Sequence, residues 1–124
     1  MHDINDIHPI KIKFLKTGIV TKDLDPKLQV TIVRIIQEQL NNILRHANAD
    51  TATITLSRVG DDAILLISDN GDGCDMLTGK NGVGIINIKS RADLYNGYTT
   101  IVSNPGEGYE LKVVLPLMGL ESIV

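Results

Sequence analysis

The chain has 124 residues, enough to close one hydrophobic core and short for two, so a single domain over residues 1–124 is expected, with residues 1–8 an irregular leader. Hydrophobic residues make up 43% of it and charged residues 22%, which excludes a disordered polar chain. The net charge of −3 excludes a general binder of nucleic-acid or membrane phosphates, which needs a basic face.

Cys74 is the only cysteine, so neither an intrachain disulfide nor a four-thiolate zinc centre can form. A reducing cytoplasm fits. No apolar run approaches the roughly 20 residues needed to cross a bilayer, and the opening Met1-His2-Asp3-Ile4-Asn5-Asp6 lacks the regions of a signal peptide. A cytoplasmic chain is expected, any membrane anchor lying elsewhere in a parent protein. One Phe, three Tyr and no Trp leave little for stacking single-stranded bases, so no nucleic-acid partner is expected.

After Pro9, residues 10–14 alternate apolar and charged, which predicts a half-buried strand. Asp25 and Pro26 then read as an N-cap followed by proline at the first helical position. A helix over residues 26–47 follows, with Ile32, Ile36, Leu40, Ile43 and Ala47 as its core stripe. Two strands, 52–59 and 63–68, flank the turn Gly60-Asp61-Asp62; the second is apolar from Ala63 to Ile67 and so expected to be central. Residues 83–94 read as a second helix, stopped by Asn96-Gly97. Strands 98–102 and 109–115 close the chain as a hairpin around Asn104-Pro105-Gly106-Glu107-Gly108. The order predicts an α+β two-layer sandwich, a mixed and mostly antiparallel sheet with helices on one face.

At 100° per residue, Arg34, Glu38, Asn42 and Arg45 form a polar stripe opposite the predicted core stripe of the first helix. Taken alone, such a stripe is an ordinary solvated face. It also carries chemistry: the Asn42 amide oxygen is a hard neutral ligand suited to Mg²⁺, and Glu38, one turn earlier, can polarise a water or accept a proton. His46 reads equally as a phosphate donor or as a favourable charge at a helix C-terminus. Asp69-Asn70-Gly71-Asp72-Gly73 leaves the apolar strand as a tight turn or as a close backbone approach to a ligand. Asn81-Gly82-Val83-Gly84-Ile85 opens the second helix, where free N–H groups and the helix dipole suit phosphate. A dinucleotide fingerprint, a P-loop, an EF-hand and a nucleophilic triad are all missing from the sequence.

Together and in order, these segments resemble the histidine-kinase ATPase domain of the GHKL superfamily, which also holds gyrase, Hsp90 and MutL. Residues 34–47 are similar to its N box, Asp69-Asn70-Gly71-Asp72-Gly73 to its first glycine box, Gly82-Val83-Gly84-Ile85 to its second, and Gly106-Glu107-Gly108 to its last glycine motif. The run Arg34-Ile35-Ile36-Gln37-Glu38, the short lid 74–81 and the segment Asn87-Ile88-Lys89-Ser90-Arg91-Ala92 resemble NarX-type sensor kinases.

The resemblance implies a Bergerat fold binding ATP and Mg²⁺. On that pattern Asn42 binds Mg²⁺, Glu38 orients or deprotonates the attacking group, and Asp69 accepts from the adenine amino group. Gly71 and Gly73 line the base pocket. Gly82, Val83, Gly84 and Ile85 form the phosphate segment, while Arg45, His46 and Lys80 lie near the phosphates. Tyr109 stands where the family usually has a threonine linked through water to that aspartate, a departure that bears on base recognition.

His2 and His8 have no helical setting, so the phosphoacceptor histidine is expected on a dimerisation domain of the parent protein, outside this chain. The parent is expected to be a homodimer serving a response regulator indirectly, and the isolated domain a monomer. An anti-sigma-factor-type serine kinase and a non-catalytic nucleotide-binding interaction domain are the alternatives.

Overall fold

Five strands, β1 (Lys11–Thr17), β2 (Thr51–Val59), β3 (Asp62–Asp69), β4 (Tyr98–Ser103) and β5 (Tyr109–Pro116), and two helices, α1 (Pro26–Asn42) and α2 (Gly82–Asp93), follow the predicted order. The computed structural model describes residues 10–72, 82–104 and 106–117, with the backbone alone at 21, 46, 47 and 82–84. The strands form one sheet of spatial order β1-β2-β3-β5-β4, so the strand expected to be central is indeed the middle one. β1 runs parallel to β2 and every other pairing is antiparallel, which gives the mixed, mostly antiparallel sheet of an α+β sandwich.

Residues paired across neighbouring strands share a face of the pleat. Phe14, Ile54, Ile67, Leu111 and Ile101 are thereby one apolar row across all five strands. Ile54, Ile67 and Leu111 are buried under the helices, and Leu56, Leu65 and Val113 form the next row of the core. α1 rests on β3 and α2 on β4 and β5, the two helices packed side by side. β1 lies beyond them. The strand expected to be half-buried therefore has every residue exposed, and Phe14 is 54% accessible although it continues the core row.

Asp25 caps α1 as the sequence predicts, its carboxylate accepting from the Lys27 amide at 3.2 Å and its carbonyl from the Gln29 amide at 2.9 Å. The buried side of α1, however, is Leu28, Ile32, Ile35 and Gln39, with Ile36 and Leu40 only partly buried at its edge. The predicted stripe is thus rotated toward Ile35 and Gln39. Sequence hydropathy steers away from a buried glutamine, but Gln39 satisfies its amide oxygen from Asn42. The α-helical hydrogen bonding stops at Asn42, and Ile43–Ala47 continue as a π-helical turn ending at Asn48, which takes the left-handed conformation at φ 53°.

The Asn96-Gly97 stop signal acts through a Schellman motif. Asn96 adopts φ 60°, its amide donates to the Asp93 carbonyl, and the Gly97 amide reaches the Ala92 carbonyl at 2.9 Å. At the opposite edge, Ile19 is buried, and Asp23 holds that segment to the β2–β3 hairpin through Arg58 at 3.0 Å.

Candidate functional site

Of the predicted site residues, Asp69 and Gly71 stand at the end of the sheet where β3 finishes and β5 begins. One step beyond the core row, Ile12, Ala52, Asp69, Tyr109 and Ser103 form the next row on the same helix-facing side. Asp69 continues the inward alternation of Ala63, Leu65 and Ile67, so the pleat that builds the core also aims this carboxylate toward the helices. Its Oδ1 accepts from the Gly71 amide at 2.8 Å, closing an Asx turn at the strand end. Burial raises its pKa above the ordinary 3.8, against the lowering pull of the Gly71 amide. Gly71 itself is buried.

The next residue faces the other way. Asn70 Oδ1 accepts from the Asp50 amide at 2.9 Å and the Thr51 amide at 3.0 Å. These bonds fasten the glycine-rich turn to the segment leaving α1. Sequence reading passes over Asn70, although an asparagine before glycine at a strand end is a signal for such side chain to backbone bonding.

The last glycine motif folds onto the same turn. Gly106 donates its amide to the Asp72 carbonyl, and Ser103 Oγ donates to the Gly108 carbonyl at 2.7 Å. Gly108, at φ 78°, lies so close to Asp69 that a Cβ would meet the Asp69 carbonyl oxygen. Two motifs that are distant in sequence thus make one backbone wall.

On α1, Asn42 sits about 50° and Glu38 about 90° from the centre of the buried side, taking about 100° per residue. Both are half-buried, whereas Arg34 and Arg45 are exposed. The stripe expected opposite the core is therefore at its flank, because the core side includes Gln39. Asn42 Nδ2 donates to Gln39 Oε1 at 3.2 Å. Arg45 and the backbone of His46 belong to the π-helical turn, a local geometry enriched at functional sites. The side chain of His46 is outside the described residues.

The backbone of Gly82, Val83 and Gly84 forms the first turn of α2, whose amides have no carbonyl partner within the helix itself. Ile85 is buried in the core and fixes that turn to the sheet. Gly73, Lys80 and the lid 74–81 lie outside the described residues.

Among the described residues no group of three His, Cys, Asp or Glu side chains is arranged to hold a metal ion. A divalent cation beside Asn42 would take one or two protein oxygens and complete its shell from phosphates and water, which is the habit of Mg²⁺. The residues present fit that ion and do not make a self-sufficient cage.

Residues 27–119 match the family of histidine kinase-, DNA gyrase B-, and HSP90-like ATPases. The chain is 34% identical over 114 residues to the signal transduction histidine-protein kinase/phosphatase DegS of Bacillus subtilis, covering 87% of this chain and 29% of that protein. To the sensor histidine kinase YxjM of the same organism it is 30% identical over 118 residues, covering 95% of this chain and 29% of that one. Its fold is similar to that of the blue-light activated histidine kinase EL346 of Erythrobacter litoralis, with a TM-score of 0.73 at 18% identity over 91% of this chain and 37% of that one. The chain spans about three tenths of the length of the curated relatives it matches.

Proposed function

Because the chain belongs to the family of histidine kinase-, DNA gyrase B-, and HSP90-like ATPases and is homologous to sensor histidine kinases, we propose that it binds Mg·ATP and donates the γ-phosphoryl to a histidine of its parent protein. The observation that carries this reading is the placement of Asp69. A carboxylate ends the central strand on the helix-facing side, beside backbone wrapped closely by Gly71 and Gly108. That is the acceptor a flat base bearing an exocyclic amino group requires.

In this reading Asp69 accepts from the adenine amino group while Gly71 and Gly73 line the base. The opening of α2 at Gly82, Val83, Gly84 and Ile85 presents amides to the phosphates, and Arg45, His46 and Lys80 add positive or donor groups around them. Asn42 offers its amide oxygen to Mg²⁺, which neutralises phosphate charge when bound. Glu38 orients the incoming histidine nitrogen or takes its proton as the γ-phosphoryl leaves ADP. Catalysis rests on positioning and charge, with no covalent intermediate on this chain.

The chain acts as one domain and, isolated, as a monomer. Its acceptor is a dimerisation and phosphoacceptor domain of the same cytoplasmic or membrane-anchored parent, which passes the phosphoryl to a response regulator. Among the described residues no helix is long and apolar enough to cross a membrane.

Calorimetry with Mg·ATP tests the reading. The unaltered chain should bind with micromolar affinity, near −8 kcal/mol, and Asn42→Ala should lose about tenfold or more, since a charge-assisted contact is worth roughly 1.5–3 kcal/mol. Absence of binding by the unaltered chain overturns the proposal.

A further inference from the structure

The two ends of a primary amide are chemically opposite: the oxygen can bind a cation and the NH₂ can only donate. An asparagine that serves a cation must therefore be held with its oxygen outward. In this structure the holding group is visible. Asn42 Nδ2 donates to Gln39 Oε1 at 3.2 Å, and Gln39 is 2% exposed on the core side of α1.

Gln39 and Ser103 are the buried polar residues among those described. An unbranched apolar side chain at 39 would fill the same volume without an amide to satisfy. What the glutamine adds is an acceptor, fixed by the packing around it, one turn behind Asn42. Glu38, its neighbour in sequence, lies on the flank and is half-buried.

We infer that Gln39 is a positioning residue: its buried carbonyl oxygen takes the Asn42 NH₂ and so turns the Asn42 oxygen outward to the divalent cation that accompanies ATP. The inference rests on the reading of Asn42 as the cation's ligand. Gln39 touches neither nucleotide nor metal and acts only through the orientation of its neighbour. Its replacement should consequently alter the benefit that Mg²⁺ brings to ATP binding, leaving metal-free nucleotide affinity alone.

The test is calorimetry of the whole chain with ATP in Mg²⁺ and with ATP in EDTA, for the unaltered protein, Gln39→Met, Asn42→Ala and the double variant. Gln39→Met should weaken Mg·ATP binding about fivefold, the worth of one hydrogen bond, while the EDTA affinity stays within about twofold. Added to Asn42→Ala, it should have no further effect, as coupled residues show. An unchanged ratio of the two affinities in Gln39→Met overturns the inference. If Asn42→Ala also leaves that ratio unchanged, the reading of Asn42 has failed as well; if only Asn42→Ala changes it, Gln39 is filler alone. Should Gln39→Met not fold, NMR of the unaltered chain decides: the Asn42 NH₂ protons should exchange slowly before ligand is added, and fast exchange rejects the restraint.

Discussion

Asp69 and Tyr109 stand directly opposite each other across β3 and β5, both on the helix-facing side of the sheet. Tyr109 is partly buried against the core, and the carboxylate beside it loses solvent. Burial raises the Asp69 pKa above 3.8 and outweighs the Gly71 amide. The folded chain thus holds this proton more tightly than the unfolded chain does. The stability linked to the group is complete below the unfolded value and is lost as pH rises through the folded one. At neutral pH the ionised side chain is a burden on the empty fold.

Asp69→Asn removes the charge and keeps an oxygen for the Gly71 amide. Its melting temperature at pH 7 should exceed that of the unaltered chain, and the gain should fade as pH falls below about 4, where the carboxyl is protonated in both states. The same variant should bind Mg·ATP about tenfold or more weakly, having lost a charge-assisted acceptor. Thermal melts across pH 3–8 by circular dichroism check the first part; a variant less stable than its parent at pH 7 contradicts it.

The two glycines of the last motif separate two effects that sequence alone merges. Gly106 has φ 80° with nothing within 4 Å of a built Cβ, whereas Gly108 has φ 78° and meets the Asp69 carbonyl. Gly106→Ala should cost about 1 kcal/mol, the left-handed penalty alone. Gly108→Ala should cost roughly 3 kcal/mol, since backbone must move as well. Urea unfolding measures both, and equal losses would show that the close approach carries no energy.

How much of this was legible in the sequence depends on whether a signal was local. The Asn96-Gly97 stop, the Asp25-Pro26 start and the central place of β3 depend on backbone chemistry or on runs of one character, and they appear as read. The side of α1 that is buried does not, because Gln39 enters the core by pairing with Asn42, a bond that hydropathy cannot express. The exposure of β1 is also a tertiary matter. Two helices packed about 10 Å apart reach across strands spaced about 4.8 Å, and here they rest on β3, β4 and β5. Ile12 and Phe14 lie on the helix side of the sheet and are exposed there. The glycine motifs were visible as motifs; that the last one seals the first through Gly108 and Asp69 depends on the β3–β5 register.

Asn70 gives the last prediction. It is exposed, yet its side-chain Oδ1 accepts from two consecutive amides, Asp50 and Thr51, while its backbone N–H donates to the Thr51 carbonyl at 3.2 Å. The turn that follows Asp69 is thereby fixed to the chain emerging from the α1 end, where Asn42 and Arg45 lie. Asn70→Ala should cost about 1–2 kcal/mol, because the two amides are near the surface and regain water. Hydrogen exchange should quicken about tenfold at Asp50 and Thr51, and the Asp69 turn should hold its shape less well. Mg·ATP affinity should therefore fall, by less than in Asp69→Asn, since Asn70 supports the acceptor without touching the base. Unchanged exchange at both amides would show that the strand pairing alone holds this junction, and the affinity of Asn70→Ala would then match that of the unaltered chain.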